Sequence, residues 1–287
     1  MASLRDIRQR IASVKNTQQI TKAMKMVAAA KMKKAQDAVL AARPYAQKMH
    51  LVLSSLAART GRAAHPLLHV REEYRVGLLV LTSDRGLCGG FNSNLSRRAL
   101  HFLQEQQQKR NPVTLSVIGK KGQSFFKNRE IPMEKVYTEL SGKMDYGKAS
   151  EIAHDLVEPF AREELDVIYL VYNEFKSAIS QKVIVEQLLP IQPLELTEET
   201  NAVDYLFEPS EEEVLARILP QYVETQIFRA LLESEASEQG ARMTAMDSAT
   251  NNATDLIHQL TLSMNKARQA QITKEISEIV GGAEALK

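Results

Sequence analysis

Residues 4–56 read LRDIRQRIASVKNTQQITKAMKMVAAAKMKKAQDAVLAARPYAQKMHLVLSSL, and steps of alternately three and four from Leu4 land on Ile7, Ile11, Val14, Gln18, Thr21, Lys25, Ala28, Met32, Ala35, Val39, Ala42, Ala46, Met49, Leu53 and Leu56. Thirteen of these sixteen positions are apolar. A heptad sustained for this long describes a left-handed coiled-coil seam, not the broader stripe of a helix lying on a globule. The three exceptions, Gln18, Thr21 and Lys25, are consecutive, and the apolar Ile20, Met24 and Val27 beside them predict a sideways shift of the face that this helix presents. Ser3 followed by Asp6 marks a helix start, Gly61 a stop, and Pro44 predicts a bend.

A second stretch of the same kind begins at Pro209-Ser210-Glu211-Glu212-Glu213 and is expected to end at Gly281-Gly282, with Pro220 and Gly240 its internal breakers. Ser210 with Glu213 three residues on is a capping box. At 1.5 Å per residue such a helix spans about 105 Å, more than a domain of this size needs for its own core. Between Ser234 and Thr254, twelve of twenty-one residues are Ala, Ser, Gly or Thr, so a partner helix can approach closely; Ala28 to Ala42 is the natural mate. Beyond Leu256 the chain turns bulky on more than one face, with Ile257, Leu260, Leu262, Met264, Ile272, Ile276 and Ile279. The second arm is the longer, so one end is expected to overhang by roughly 20 Å as a single helix that something else must enclose.

Between the arms, residues 75–82 (RVGLLVLT) form a buried-strand run, followed by Ser83-Asp84-Arg85-Gly86-Leu87-Cys88-Gly89-Gly90 and a helical pattern to Lys109. Val113–Ile118 reads as a second strand before a short helix through Phe125 and Phe126; a helix near Lys148–Ala161 leads to a strand at Asp166–Tyr172, and Lys182–Leu189 completes a sheet edge. Alternating strands and helices predict an α/β head, a small, mostly parallel, Rossmann-like layer, joined to a long antiparallel left-handed coiled coil formed by the N- and C-terminal helices. The expected division is 1–60 for the first arm, 61–209 for the head and its acidic connector, and 210–287 for the second arm and tip.

The 287 residues are 44% hydrophobic and 25% charged, which suits one or two domains with a real core. Cys88 is the single cysteine, so no internal disulfide is possible and a reducing compartment is expected. No signal or transit segment is evident, and nothing approaches 18 consecutive apolar residues; association with a membrane is expected to be indirect, without lipid insertion. The net charge is +2, but residues 1–59 carry twelve Lys or Arg against Asp6 and Asp37, while residues 186–216 hold nine acids and no Lys or Arg. A basic rod and an acidic connector therefore share one chain.

Gly86-Leu87-Cys88-Gly89-Gly90 lies between strand and helix, where glycine-rich turns cradle phosphates, but its spacing fits neither G-x-G-x-x-G nor G-x-x-x-x-G-K-S/T. A tight turn that needs a positive φ is the plainer reading. Cys88 has no base near it in sequence and reads as buried packing. His65 and His69 are separated by Pro66, which argues against a shared helical metal site. The sequence thus offers no catalytic, cofactor or metal residues. Lys15, Lys22, Lys25, Lys31, Lys33 and Lys34 form the densest basic run, and the absence of aromatics from the first 44 residues favours a protein partner over single-stranded nucleic acid.

Four blocks in order, residues 11–26 (IASVKNTQQITKAMKM), 82–90 (TSDRGLCGG), 265–270 (NKARQA) and 272–283 (ITKEISEIVGGA), closely resemble the gamma subunit family of F-type rotary ATP synthases of bacterial type, over essentially the full chain. That resemblance implies a non-catalytic central rotor shaft inside three alpha and three beta subunits, with its head on the proton-driven membrane c-ring beside an epsilon subunit, at the cytoplasmic face of the cell membrane. It implies that Met24, Arg268, Gln269 and Thr273 contact beta-subunit loops. Lys22, Lys25, Lys31, Lys33 and Lys34 would face acidic lever loops, and Ile276, Ile279 and Val280 would turn in an apolar sleeve. The paired-cysteine insertion of chloroplast relatives is missing. Two other classes stand beside this one: a nucleic-acid-binding helical hairpin on the basic arm, and a nucleotide-binding α/β enzyme on Gly86–Gly90.

Overall fold

The computed structural model describes residues 4–60, 65–140, 145–177, 180–192 and 210–284. The expected signals at Ser3, Gly61 and Pro209 lie outside them. Two compact units divide the chain, one made of residues 1–28 and 243–287, the other of residues 29–242. The first long helix, α1 (Leu4–Thr60), and the last, α5 (Glu211–Glu284), each contribute to both.

In the larger unit, β1 (Val76–Leu81), β2 (Val113–Ile118), β3 (Lys135–Tyr137), β4 (Val167–Phe175) and β5 (Gln181–Leu189) form one sheet in the order β3-β2-β1-β4-β5. All neighbours are parallel except β4 and β5, which run antiparallel. The helices α2 (Phe91–Gln108), α3 (Lys120–Lys127) and α4 (Tyr146–Ala161) make the crossovers. β1 is buried along its whole length, as a central parallel strand covered on both faces must be.

Alternation along β1 sends its residues to two cores. Val76, Leu78 and Val80 join Leu95, Ala99 and Phe102 of α2 and Phe126 of α3. Leu79 and Leu81 face the opposite way, into a cluster with Ile152, Leu156 and Phe160 of α4, Leu53 and Leu56 of α1, and Leu219, Val223 and Ile227 of α5. The helical arms are therefore structural members of the head. Truncating one of these fully buried leucines to alanine costs about 2–5 kcal/mol.

α1 is helical through Pro44, where the sequence predicted a bend. The missing N–H costs a hydrogen bond, but Ala46, Leu53 and Leu56 beyond it are buried, and that burial holds the chain in helix. α5 begins as its capping box predicts, with the Glu213 N–H donating to Ser210 Oγ at 3.2 Å. It does not stop at Gly281-Gly282 but continues to Glu284. Neither glycine takes the positive φ of a C-cap, so each is a helix-interior residue at about 1 kcal/mol relative to alanine.

Candidate functional site

In the smaller unit the seam between α1 and α5 can be read pair by pair. Gln18 Nε2 donates to Thr254 Oγ1 at 2.7 Å, the Thr21 and Thr250 hydroxyls are 2.8 Å apart, and Lys25 Nζ donates to Asp247 Oδ1 at 2.5 Å. Rising numbers on α1 meet falling numbers on α5, so the helices are antiparallel. On α5, Met246, Thr250, Ala253, Ile257, Leu260, Met264 and Ala267 are buried or half-buried, again in steps of four and three. Two matching heptads produce the left-handed seam.

The polar trio does not displace that seam. Thr21 is buried, whereas Ile20 and Val27, expected to take over the contact, are 59% and 56% exposed. The expectation failed because each polar side chain finds a partner across the seam, which removes the penalty that an unpaired buried group would carry.

Extending the pairing by equal steps brings Leu4 opposite residue 268. From there to residue 282 every side chain of α5 is exposed, a single helix of about 22 Å. Ile272, Ile276, Ile279 and Val280 lie on it, the last three at 56%, 72% and 58% exposure. Among the described residues its polar contacts run along its own helix, as between Gln271 and Glu275, Lys274 and Glu278, and the Ser277 hydroxyl and the Thr273 carbonyl.

The expected contact residues fall into separate groups. Arg268, Gln269 and Thr273 are exposed at the start of the unpaired stretch, and Met24 is half-buried. Lys25, next to Met24, meets Asp247, which is about 30 Å along the helix from Arg268, so Met24 and Arg268 do not meet. Lys22 is exposed. In the larger unit Lys31 and Lys34 are exposed as well, while Lys33 pairs with Asp37 at 2.9 Å on the surface.

The glycine-rich turn follows β1. Ser83 N donates to Asn92 Oδ1 at 3.0 Å and Asn92 Nδ2 donates back to Ser83 Oγ at 2.8 Å, so an α2 side chain ties the turn to its strand. Gly89 has φ 55° and requires glycine's freedom. Gly86 does not: a Cβ there would come no closer than 3.5 Å to the flexible end of Lys121. The firmer demand is at Gly119, after β2, where φ is 93° and a Cβ would lie 2.4 Å from the Thr82 carbonyl oxygen.

At the carboxyl ends of the strands, where such sheets bind ligands, α5 itself occupies the edge. Ser234 Oγ reaches the Leu81 carbonyl at 3.5 Å, Ser237 Oγ donates to the Asn173 carbonyl at 3.0 Å, and Arg242 donates to the Gly86 carbonyl at 3.2 Å. Arg242 also pairs with buried Glu238 at 2.6 Å. Burial raises the Glu238 carboxyl above its ordinary range, with Arg242 opposing the shift. Cys88 is buried, and burial raises its thiol. His65 Nδ1 accepts from Leu67 N at 3.2 Å and caps a short 3-10 turn, and burial lowers its pKa. Among the described residues no His, Cys, Asp or Glu group could hold a metal. The Glu238–Arg242 pair was not singled out in the sequence; its trace there is an i, i+4 charge pair inside a small-residue stretch that otherwise reads as pure seam.

The profile of the ATP synthase family matches residues 3–286. The ATP synthase gamma chain of Pelotomaculum thermopropionicum is 53% identical over 287 residues, with both chains covered in full, and that of Anaeromyxobacter sp. strain K is 52% identical, again over the full length of both. Among solved structures, a central stalk/c-ring chain of the Tetrahymena thermophila mitochondrial ATP synthase superposes with a TM-score of 0.61 at 29% identity, covering 80% of this chain and 99% of that one. A chain of the Euglena gracilis mitochondrial ATP synthase in rotational state 3 shares the fold at a TM-score of 0.66 and 22% identity, covering 99% and 94%.

Proposed function

The chain belongs to the gamma-chain family of ATP synthases, whose central rotor shaft it provides, and from that premise we propose how its own residues transmit torque. The observation that carries the proposal is the single-helix end of α5, exposed from residue 268 to 282, with Ile272, Ile276, Ile279 and Val280 left about half or more open to solvent among its polar residues. Isoleucines left at this exposure forfeit on the order of 1 kcal/mol each of the hydrophobic gain that enclosure would return. We assign Ile276, Ile279 and Val280 to a bearing inside an apolar sleeve formed by three alpha and three beta subunits. The absence of any helix long and apolar enough to cross a membrane among the described residues is consistent with peripheral attachment. In this reading the head meets the c-ring and the epsilon subunit, at the cytoplasmic face of the cell membrane.

The shaft is non-catalytic by itself. Its two arms present unlike surfaces, one basic and one not, so a three-fold surrounding meets a different face in each position. A rotor with different affinities for the conformations of a beta subunit shifts their populations, and turning it exchanges those biases among the three sites. Lys22, Lys31 and Lys34 are exposed and free to meet acidic lever loops, with Lys25 and Lys33 reaching them only in exchange for Asp247 and Asp37. Arg268, Gln269 and Thr273 offer polar contacts at the base of the bearing. Met24 contacts a beta-subunit loop separately, further along the shaft.

Reconstitution tests this directly. The purified chain should hydrolyse no ATP, and addition of alpha and beta subunits should produce ATPase activity. Replacing Ile276, Ile279 and Val280 together by serine should lower torque-coupled turnover while leaving the melting temperature of the free chain unchanged. ATP hydrolysis by the chain alone would overturn the assignment.

A further inference from the structure

We infer that the three cross-helix polar contacts of the smaller unit are rotational locks, holding α1 in one of two available facings so that Ile20 and Val27 point away from α5. The segment carries two overlapping frames. Gln18, Thr21, Lys25 and Ala28 form one at steps of three and four; Thr17, Ile20, Met24 and Val27, each one residue earlier, form the other. One residue is about 100° of helix rotation, so the two frames are alternative facings of one helix, related by a local roll that a single π-type turn can absorb.

Burial alone selects the second frame, because Ile20, Met24 and Val27 offer more apolar surface than Gln18, Thr21 and Lys25. The structure adopts the first: Thr21 and Ala28 are buried, and Ile20 and Val27 are more than half exposed. Polar groups on α5 oppose the apolar preference. Asp247, Thr250 and Thr254 recur at the same three-four spacing and meet Lys25, Thr21 and Gln18 in turn. A roll to the apolar frame would set Asp247 and Thr250 against Met24 and Ile20 and leave them without these partners. The flanking Ile7, Ile11 and Val14 share the first frame, which confines the choice to about three helical turns. Gln18, Thr21, Lys25, Asp247, Thr250 and Thr254 are thus positioning residues. They decide which side chains of α1 an enclosing subunit meets, a consequence that rests on the rotor reading, whereas the lock itself rests on this unit alone.

The test is site-directed labelling of the full chain in a Cys88→Ser background. Single cysteines are placed by Ile20→Cys or by Thr21→Cys and reacted with a soluble maleimide, with and without Asp247→Ala, Thr250→Ala and Thr254→Ala together. With the Gln18–Thr254 and Lys25–Asp247 locks intact, the cysteine at position 20 should react faster than that at 21. Each lost contact shifts a two-state facing by about fivefold, so in the triple variant the rate at 20 should fall while the rate at 21 rises, inverting their order. Plain loosening of the helices would raise both rates. If the triple variant loses its cooperative melting transition, Asp247→Asn is read by the same criterion, with a smaller change in the ratio expected, and Asp247→Glu should restore the original ratio. Rates that keep their ratio, or rise together in a variant that still melts cooperatively, overturn the lock.

Discussion

Arg242 of α5 donates to the main-chain carbonyl of Gly86 at 3.2 Å while the same guanidinium nitrogen holds Glu238 Oε1 at 2.6 Å. The long helix is thereby hydrogen-bonded to the turn that follows the first strand, and the glycine-rich segment serves as a receptor for α5 where related α/β layers hold a phosphate. Four predictions concern the contacts that hold this arrangement and the seam together.

Arg242→Ala leaves the Glu238 carboxylate buried without its cation. Breaking one side of a buried pair costs about 3–5 kcal/mol, measurable by denaturant unfolding of the full chain. The loss should depend on pH. The Glu238 carboxyl titrates above its ordinary range through burial, so the folded state holds its proton more tightly than the unfolded state, and this group's contribution to stability falls as pH rises through that window. Without Arg242 the window moves further up, so the variant should regain part of its deficit relative to the parent in mild acid. A deficit constant from pH 5 to 8 would show that Glu238 does not carry it.

The Asp166 carboxylate accepts from both the main-chain N–H and the guanidinium of Arg75, at 2.8 and 2.6 Å. Those contacts, the Arg75 side-chain bond first among them, lower its pKa against the opposing effect of burial. The sign is opposite to that of Glu238: stability from this group is present above the ordinary carboxylate pKa and lost as pH falls through the lowered value. Asp166→Asn should therefore be less stable than the parent at neutral pH, and the gap should close in acid. Parallel acid-denaturation curves for the two proteins would contradict the assignment.

Gly119→Ala should be among the most damaging single changes in the head. It forces a side chain into a φ of 93° with its Cβ 2.4 Å from the Thr82 carbonyl, at a cost of about 3 kcal/mol or more. Gly86→Ala, with no close neighbour, should melt within about 0.5 kcal/mol of the parent. Equal damage at both positions would mean that the turn requires glycine for a reason other than backbone space.

Ala253 lies buried in the seam between Thr250 and Ile257, next to the exposed Asn252. Ala253→Glu buries a carboxylate against α1 and should cost about 2–4 kcal/mol. Asn252→Glu carries the same charge on the outer face and should be near neutral. Comparison of the two melting temperatures separates the seam's demand for small apolar groups from a general effect of charge.

Much of this was readable before any coordinate. The heptad from Leu4 to Leu56 and the capping box at Ser210 belong to local physics, in which periodicity and a single hydroxyl decide the outcome. The apolar run at Val76–Leu81 announced a doubly covered strand for the same reason. β3 went unseen because three residues, Lys135 to Tyr137, are too few to carry a period. The expected stop at Gly281-Gly282 failed because glycine ends a helix only where the chain takes a positive φ.

The sequence by itself determined that two helical arms must pair, that a small parallel layer lies between them in the chain, and that the far end of the second arm lacks a partner, since each follows from spacing and length along one chain. Only the tertiary structure decided which frame of α1 faces α5 and what fills the crevice at the strand ends. Both depend on partners more than 150 residues apart in sequence, Thr21 with Thr250 and Gly86 with Arg242. Pairing across such a separation satisfies polar groups that a one-dimensional reading can only count as exceptions.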